Sequence, residues 1–181
     1  FLFKTGDLRQ NANPVADIVI VGIDEKSLAQ LGHFPSWSRA NHAKVVDILS
    51  KANARVIVFD ILFAEPAPGD ADLEESMKNA GNVILPMIYS PAQQEPPGVS
   101  EVVSSGSFIR PLPYFEENAL AVGHANMLPD DDGVIRRVPI IINADGESEP
   151  GLSLTATAKF LRRPQVIESP IENSQLNVFG R

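Results

Sequence analysis

No cysteine occurs among the 181 residues. Disulfides, thiolate chemistry and zinc–cysteine sites are therefore excluded, although the compartment is left open. Positive charge is short: 15 Lys and Arg stand against 23 Asp and Glu, a formal net charge of −8. Such a chain is a poor partner for nucleic acid, which is bound through Lys and Arg, and for anionic lipid. Histidine is scarce, and His33, His42 and His124 show no metal-ligand spacing. They read as ordinary polar or packed residues. No G-x-G-x-x-G or Walker pattern argues for a nucleotide, and no G-x-S-x-G elbow supports a hydrolase serine. No apolar run approaches the ~18 residues that span a bilayer, and no basic-then-apolar signal segment is present. Enzyme chemistry is largely missing, and no cofactor is expected.

What is present describes a globular chain, 44% apolar and 21% charged. Its length suits a single domain over 1–181, with a core of about 17–163 and a long loop at 90–107. The first residue is Phe1 rather than Met, so a piece of a longer protein is expected. Phe1-Leu2-Phe3 reads either as the last turn of a membrane helix or as an apolar end.

Two short runs end in aspartate: Ile18 to Ile23 before Asp24, and Val56 to Phe59 before Asp60. Filled with β-branched residues and lacking polar alternation, each reads as a strand buried on both faces. Between them lie a short helix stopped at Gly32 and a longer helix capped by Ser36 or Ser38, running to about Ala52 on a Val45, Leu49, Ala52 stripe. The two strands are expected to run parallel through a right-handed crossover. The next unit repeats the plan. Asp70 is a candidate N-cap with Asp72, Glu74 and Glu75 in the first turn; Leu73, Met77 and Ala80 form the buried face, and Gly81 the stop. Val83 to Met87 is the third strand, with Pro86 near its end or at an edge.

Beyond residue 107 come a short helix at Pro113–Asn118 and strands at Ala121–Met127 and Val134–Ile142, joined by Asp131-Asp132-Gly133 as a hairpin turn. Asp145-Gly146 marks another turn. Leu154, Ala158 and Leu161 stripe a last helix, and a strand is expected near Leu176–Phe179. The fold class is α/β: a three-layer-like mixed sheet with a βαβαβ start, then antiparallel strands and a C-terminal helix.

The strand-end carboxylates are the main candidates for chemistry. In an open α/β sheet, ligands bind beyond the carboxyl ends of parallel strands. Asp24 and Asp60 delivered there need compensation by a cation, a metal, a proton or an arginine, and Arg39 is placed to supply it. They line a polar pocket, or they cap the loops that follow their strands. The Asp130-Asp131-Asp132-Gly133 run lacks the alternating acids and distal Glu of a calcium loop, which excludes an EF-hand and favours a tight turn locked by Asx hydrogen bonds.

An ordered set of residues carries a family resemblance: Ile20-Val21-Gly22-Ile23-Asp24-Glu25-Lys26-Ser27-Leu28, Leu31-Gly32, Phe34-Pro35, Ser38-Arg39, His42-Ala43, Phe59-Asp60-Ile61-Leu62-Phe63, Glu65-Pro66, Asp70, Asp72-Leu73, Gly123-His124-Ala125-Asn126 and Asp130 to Arg137. Together they resemble a CHASE type 2 domain, from about Asp17 to Leu161. The resemblance implies an extracytoplasmic (periplasmic or extracellular) sensory domain of a bacterial membrane receptor. It also implies attached transmembrane helices outside this segment and a cytoplasmic cyclase, diguanylate cyclase or kinase output. The family's W-P-W-P-R turn is altered here to Phe34-Pro35-Ser36-Trp37-Ser38-Arg39. On this reading the segment is not itself an enzyme. It receives an unknown small-molecule or protein signal through Asp24, Ser27, Arg39, Asp60 and Asp70, with no metal site, and a homodimer is a possible state. A protein-interaction module without a small ligand is the alternative, and a metal-dependent hydrolase built on the two aspartates the more distant one.

Overall fold

Val83–Pro91 is the longest strand among the described residues and is buried over its first five residues, so the elements of the larger unit are best placed relative to it. The computed structural model describes residues 18–91, 101–104 (backbone only), 106–127, 132–136 and 138–163. The expectations for Phe1–Phe3, Asp130, Asp131 and Leu176–Phe179 lie outside these residues. The chain divides into two compact units, Phe1–Trp37 and Ser38–Arg181.

In the first unit, α1 (Glu25–Leu31) is capped by Asp24 and closed by Gly32, whose φ of +80° suits only glycine without strain. A 3-10 turn at Phe34–Ser36 follows. The Trp37 indole N–H donates to the Gly32 carbonyl at 2.8 Å, and its ring meets Phe34 edge-on at 5.5 Å. The strand expected at Ile18–Ile23 is not formed. Ile18, Val19, Ile20 and Val21 are 58–89% exposed. A β-branched run becomes a strand only when a neighbour takes its backbone hydrogen bonds, and no described strand pairs with this one.

The second unit begins with α2 (Arg39–Lys51), capped by the Ser38 hydroxyl accepting from the Ala40 N–H. Its buried face is His42, Ala43 and Val46 rather than the expected stripe from Val45. His42 joins that face because it packs as an apolar ring against Phe59 and Phe63. There follow β1 (Ile57–Val58), α3 (Asp70–Ala80), β2 (Val83–Pro91), β3 (Glu101–Ser104), β4 (Gly106–Ile109), α4 (Pro113–Asn118), β5 (Ala121–His124), β6 (Ile141–Ala144), β7 (Glu147–Pro150) and α5 (Leu152–Leu161). The stretch expected as the 90–107 loop thus contributes the end of β2, β3 and the start of β4. Asp70 is the first residue of α3, not its cap; Gly69 caps it in the left-handed conformation.

β2 has neighbours on both edges. Successive residues of a strand point their amide groups to opposite sides. Asn82 and Ile84 carbonyls accept from Ile57 and Phe59, whereas Val83 and Met87 carbonyls accept from Leu120 and Ala125. β1 therefore lies along the even-numbered edge and β5 along the odd-numbered one, both parallel to β2. Pro86 belongs to the even edge, where it has no N–H to offer the chain after Phe59, and the β1 ladder stops at Ile84. From Ile88 onward antiparallel β4 pairs with β2. On the odd edge β5 ends at His124, and the Asn126 side chain extends the ladder. Its Oδ1 accepts from the Tyr89 N–H and its Nδ2 donates to the Tyr89 carbonyl, each at 2.8 Å.

A second sheet, β3-β6-β7, contains the other antiparallel pair. The expected strand from Val134 forms only from Ile141, and the hairpin turn is Asp145-Gly146 between β6 and β7. Asp132 closes the preceding turn by accepting from Val134 N–H and pairing with both Arg136 amino groups, which holds its carboxyl down at about 2. The main core joins Ala43, Val46, Ile57, Phe59, Phe63, Leu73, Met77, Val83, Leu85 and Phe115. A smaller cluster joins Tyr89, Ile142 and Ala144 between the two sheets. Arg110 ties β7 to α4 by pairing with Glu147, Glu149 and Glu116.

Replacing Asn126 removes two hydrogen bonds to the central strand. Asn126→Ala is expected to lower unfolding stability by about 2 kcal/mol, in line with leaving buried amide groups unmatched, with urea denaturation as the measure. Asn126→Asp, which keeps the acceptor and loses the donor, should fall between it and the parent.

Candidate functional site

The five candidate residues divide between the two units. Asp24 and Ser27 form a closed pair in the first: Asp24 Oδ1 accepts from the Ser27 N–H at 2.9 Å and from the Ser27 hydroxyl at 2.8 Å. These bonds, the backbone one foremost, hold the Asp24 carboxyl below its ordinary value. Asp24 therefore sits at a helix start rather than at a strand end, and its Oδ1 is committed to the cap. Asp60, in the second unit, does follow a strand, and it is exposed. Among the described residues its carboxylate has no hydrogen bond or ion pair.

Arg39 and Asp70 come together although 31 positions separate them. Arg39 opens α2, Asp70 opens α3, and each side chain is only 15% exposed. Arg39 Nε faces Asp70 Oδ1 at 3.6 Å. That is an ion pair without a hydrogen bond, and both atoms are buried with no other polar partner. Asp70 Oδ2 accepts from the Tyr114 hydroxyl at 2.7 Å and from the Ala67 N–H at 2.9 Å. The Arg39 guanidinium stacks over the Phe63 ring, 4.4 Å from its centroid, and Phe63 is fully buried. One carboxylate thus links the starts of α2, α3 and α4.

The backbone closes the same corner. Pro68 carbonyl accepts from both the Arg39 N–H at 2.7 Å and the Ser38 hydroxyl at 3.0 Å. Gly69 has φ +84°, and a Cβ there would lie 2.5 Å from Ala40 N. The first turn of α2 is therefore filled by protein rather than open to an anion. His42, one turn along, is buried; that burial, and then the charge of Arg39, keep its imidazole below its ordinary value. Burial, followed by the hydrogen bond to Asp70, pushes the Tyr114 hydroxyl up to about 12. Tyr114 was not among the sequence candidates, because nothing local marks it: its role exists only through contact with α3.

This geometry holds elements together. It offers neither a nucleophile with a base nor a metal cage, and no group of three metal-capable side chains occurs among the described residues. A family model described as the CHASE2 domain matches residues 2–179. The chain belongs to the CHASE2 domain family. CHASE2 domains are extracytoplasmic sensory domains without catalysis of their own. No curated protein and no solved structure matches the chain. Among the described residues no helix is long and apolar enough to cross a membrane.

Removing one partner of a buried ion pair leaves the other charge uncompensated, at a cost of about 3 kcal/mol. Asp70→Ala in this CHASE2 domain is expected to lose about that much in urea unfolding, and Tyr114→Phe about 1 kcal/mol. The double variant should be no less stable than Asp70→Ala within about 0.5 kcal/mol, since the two side chains share one contact. Tyr114 also sets a pH dependence. Its folded pKa lies above the unfolded value of 10, so its contribution is complete below pH 10 and is lost as pH rises toward 12. Tyr114→Phe should flatten that alkaline loss.

Proposed function

We propose that this chain is the signal-receiving segment of a bacterial membrane receptor. It performs no reaction, and a bound small molecule or protein biases a cytoplasmic cyclase, diguanylate cyclase or kinase module through attached membrane helices. The observation that carries this reading is the CHASE2 match over residues 2–179. A signal shifts such a domain only by binding one arrangement more tightly than another. The Arg39–Asp70–Tyr114 corner supports the reading because α2, α3 and α4 meet there on one carboxylate, so a ligand that competes for Asp70 would change how three helices pack. Asp60 offers an exposed carboxylate in the same unit, and Asp24 with Ser27 offers a second polar pair on the other unit.

Calorimetry and thermal-shift screening of the 181-residue chain against small metabolites and divalent cations test this. A ligand is expected to raise the melting temperature, and Arg39→Lys, which keeps the charge but loses the planar fork, is expected to weaken that rise at least tenfold in apparent affinity. If Asp24→Ala, Asp60→Ala and Arg39→Lys all leave every ligand-induced shift intact, the assignment of these residues is wrong.

A second reading is favoured by the exposed apolar side chains of Ile18 to Val21 and of Val134, Ile135, Val138 and Ile140. Exposed apolar surface marks an interaction site where it gathers into a patch, and the domain would then act by pairing with a second copy or a protein partner. Light scattering across concentration separates the two: mass rising with concentration, with no small-molecule shift, supports the second.

A further inference from the structure

His124 is 2% exposed, and among the described residues neither of its ring nitrogens completes a hydrogen bond. It ends β5, and three pieces of chain enclose it. Met87 of β2 is its ladder partner, so the two side chains share a face of the sheet. Gly151, just before α5, makes a parallel bridge with His124. A Cβ on Gly151 would stand 3.5 Å from the imidazole Cε1, and 3.3 Å and 3.4 Å from the Pro139 and Ile140 carbonyl oxygens. The Gly151 N–H in turn donates to the Ile140 carbonyl at 2.8 Å. The ring is therefore packed where the segment entering β6, the segment leaving β7 and the last residue of β5 meet.

An imidazole in that place can be neutral without difficulty, whereas an imidazolium cannot. Its second N–H would need an acceptor, and its charge would need water or an anion. Among the described residues the Ile140 carbonyl is the acceptor beside the ring, and burial at 2% exposure keeps water away from the charge. Burial is the main influence on the ring and holds its pKa at about 4; the Ile140 carbonyl is the single opposing one. The charged groups of the neighbouring elements act elsewhere: Glu147 and Glu149 of β7 pair with Arg110, and Lys159 lies in the last turn of α5. Tyr89 of β2, two residues beyond Met87, stands on the same face of the strand, and neither β5 nor the 138–140 segment carries another titratable side chain.

We infer that His124 is an acid-operated latch: protonated, it leaves its place between β5 and Gly151, and the Ile140–Gly151 closure that starts the β6–β7 hairpin and α5 opens with it. The proton comes from solvent and stays on the imidazole, with no other chemistry. The latch stands on the packing alone; its use as an acid input to signalling rests on the sensor reading above.

The direction follows from linkage. The open form has an imidazole of ordinary pKa, 6.5, and the closed form one of about 4. Closure is therefore complete above pH 6.5, weakens by up to tenfold per pH unit below it, and levels off below about pH 4, about 300-fold in all. Amide exchange of the 181-residue chain, corrected for intrinsic rates, reads this. Protection at Gly151 and along β6, β7 and the first turn of α5 should fall through that window, while protection in α2 and α3 should hold. His124→Gln, which keeps a polar amide and cannot titrate, should make the protection of the hairpin independent of pH. Where that variant does not fold, the ring proton shifts of His124 in the parent chain decide the matter: the latch requires them to titrate well below 6.5 and together with the loss of protection. Titration near 6.5 with the hairpin still protected overturns the latch, as does a folded His124→Gln chain that loses protection as the parent does. Either failure leaves the ligand screen above untouched.

Discussion

A proline in the middle of the central strand sets the plan of the larger unit. Pro86 lies on the edge of β2 that faces β1, and it has no N–H to continue that ladder. The edge is consequently divided: a short parallel neighbour precedes the proline and an antiparallel one follows it. The division separates two packing environments along one strand. Val83 and Leu85, before Pro86, belong to the core under α2, α3 and α4. Tyr89, after it, belongs to the smaller cluster shared with β6. Continuity on the other edge is kept by β5 and then by the Asn126 amide, which imitates a backbone residue where β5 has ended.

The helices over the first half of β2 are joined through an electrostatic corner rather than through apolar contact alone. Phe63 supplies the buried surface, worth about 1.5–3 kcal/mol for a side chain of this size, and also the face on which Arg39 lies. The ion pair adds less stability than its Coulomb energy suggests, because both groups give up water. What it adds is register: α2, α3 and α4 start at fixed positions relative to one carboxylate. A corner of this type suits a domain that must hold one packing and yield to another, since altering one polar partner affects three helices at once.

Local signals were legible in the sequence; distant pairings were not. The cap at Ser38, the stop at Gly81, the short helix at Pro113 and the turn at Asp145-Gly146 are each decided within a few residues, and each stands where the sequence places it. Ile18–Ile23 has the composition of a buried strand, but pairing depends on a neighbour that composition does not specify. Leu49 of the expected α2 stripe packs against the core, but His42 lies outside any apolar stripe in the sequence although its ring packs with Phe59 and Phe63. Of the candidate site, Arg39 and Asp70 were identified as residues that matter, whereas Tyr114, which completes their contact, was invisible without the third dimension.

The two polar corners of the larger unit differ in kind, and the difference bears on sensing. At Asp70 a charge is buried with its partner present, and on the proposed reading a competing polar ligand is the means of disturbing it. At His124 a titratable ring is buried, and on the inference above the arrangement is favoured only while the ring is neutral. The first corner lies over the β1 half of the sheet and the second where β5 meets the β6–β7 hairpin. β2 and β5 run between them as one hydrogen-bonded pair. On the proposed reading, combining the two inputs needs no long path; it needs only that the packing on that pair of strands have more than one stable arrangement.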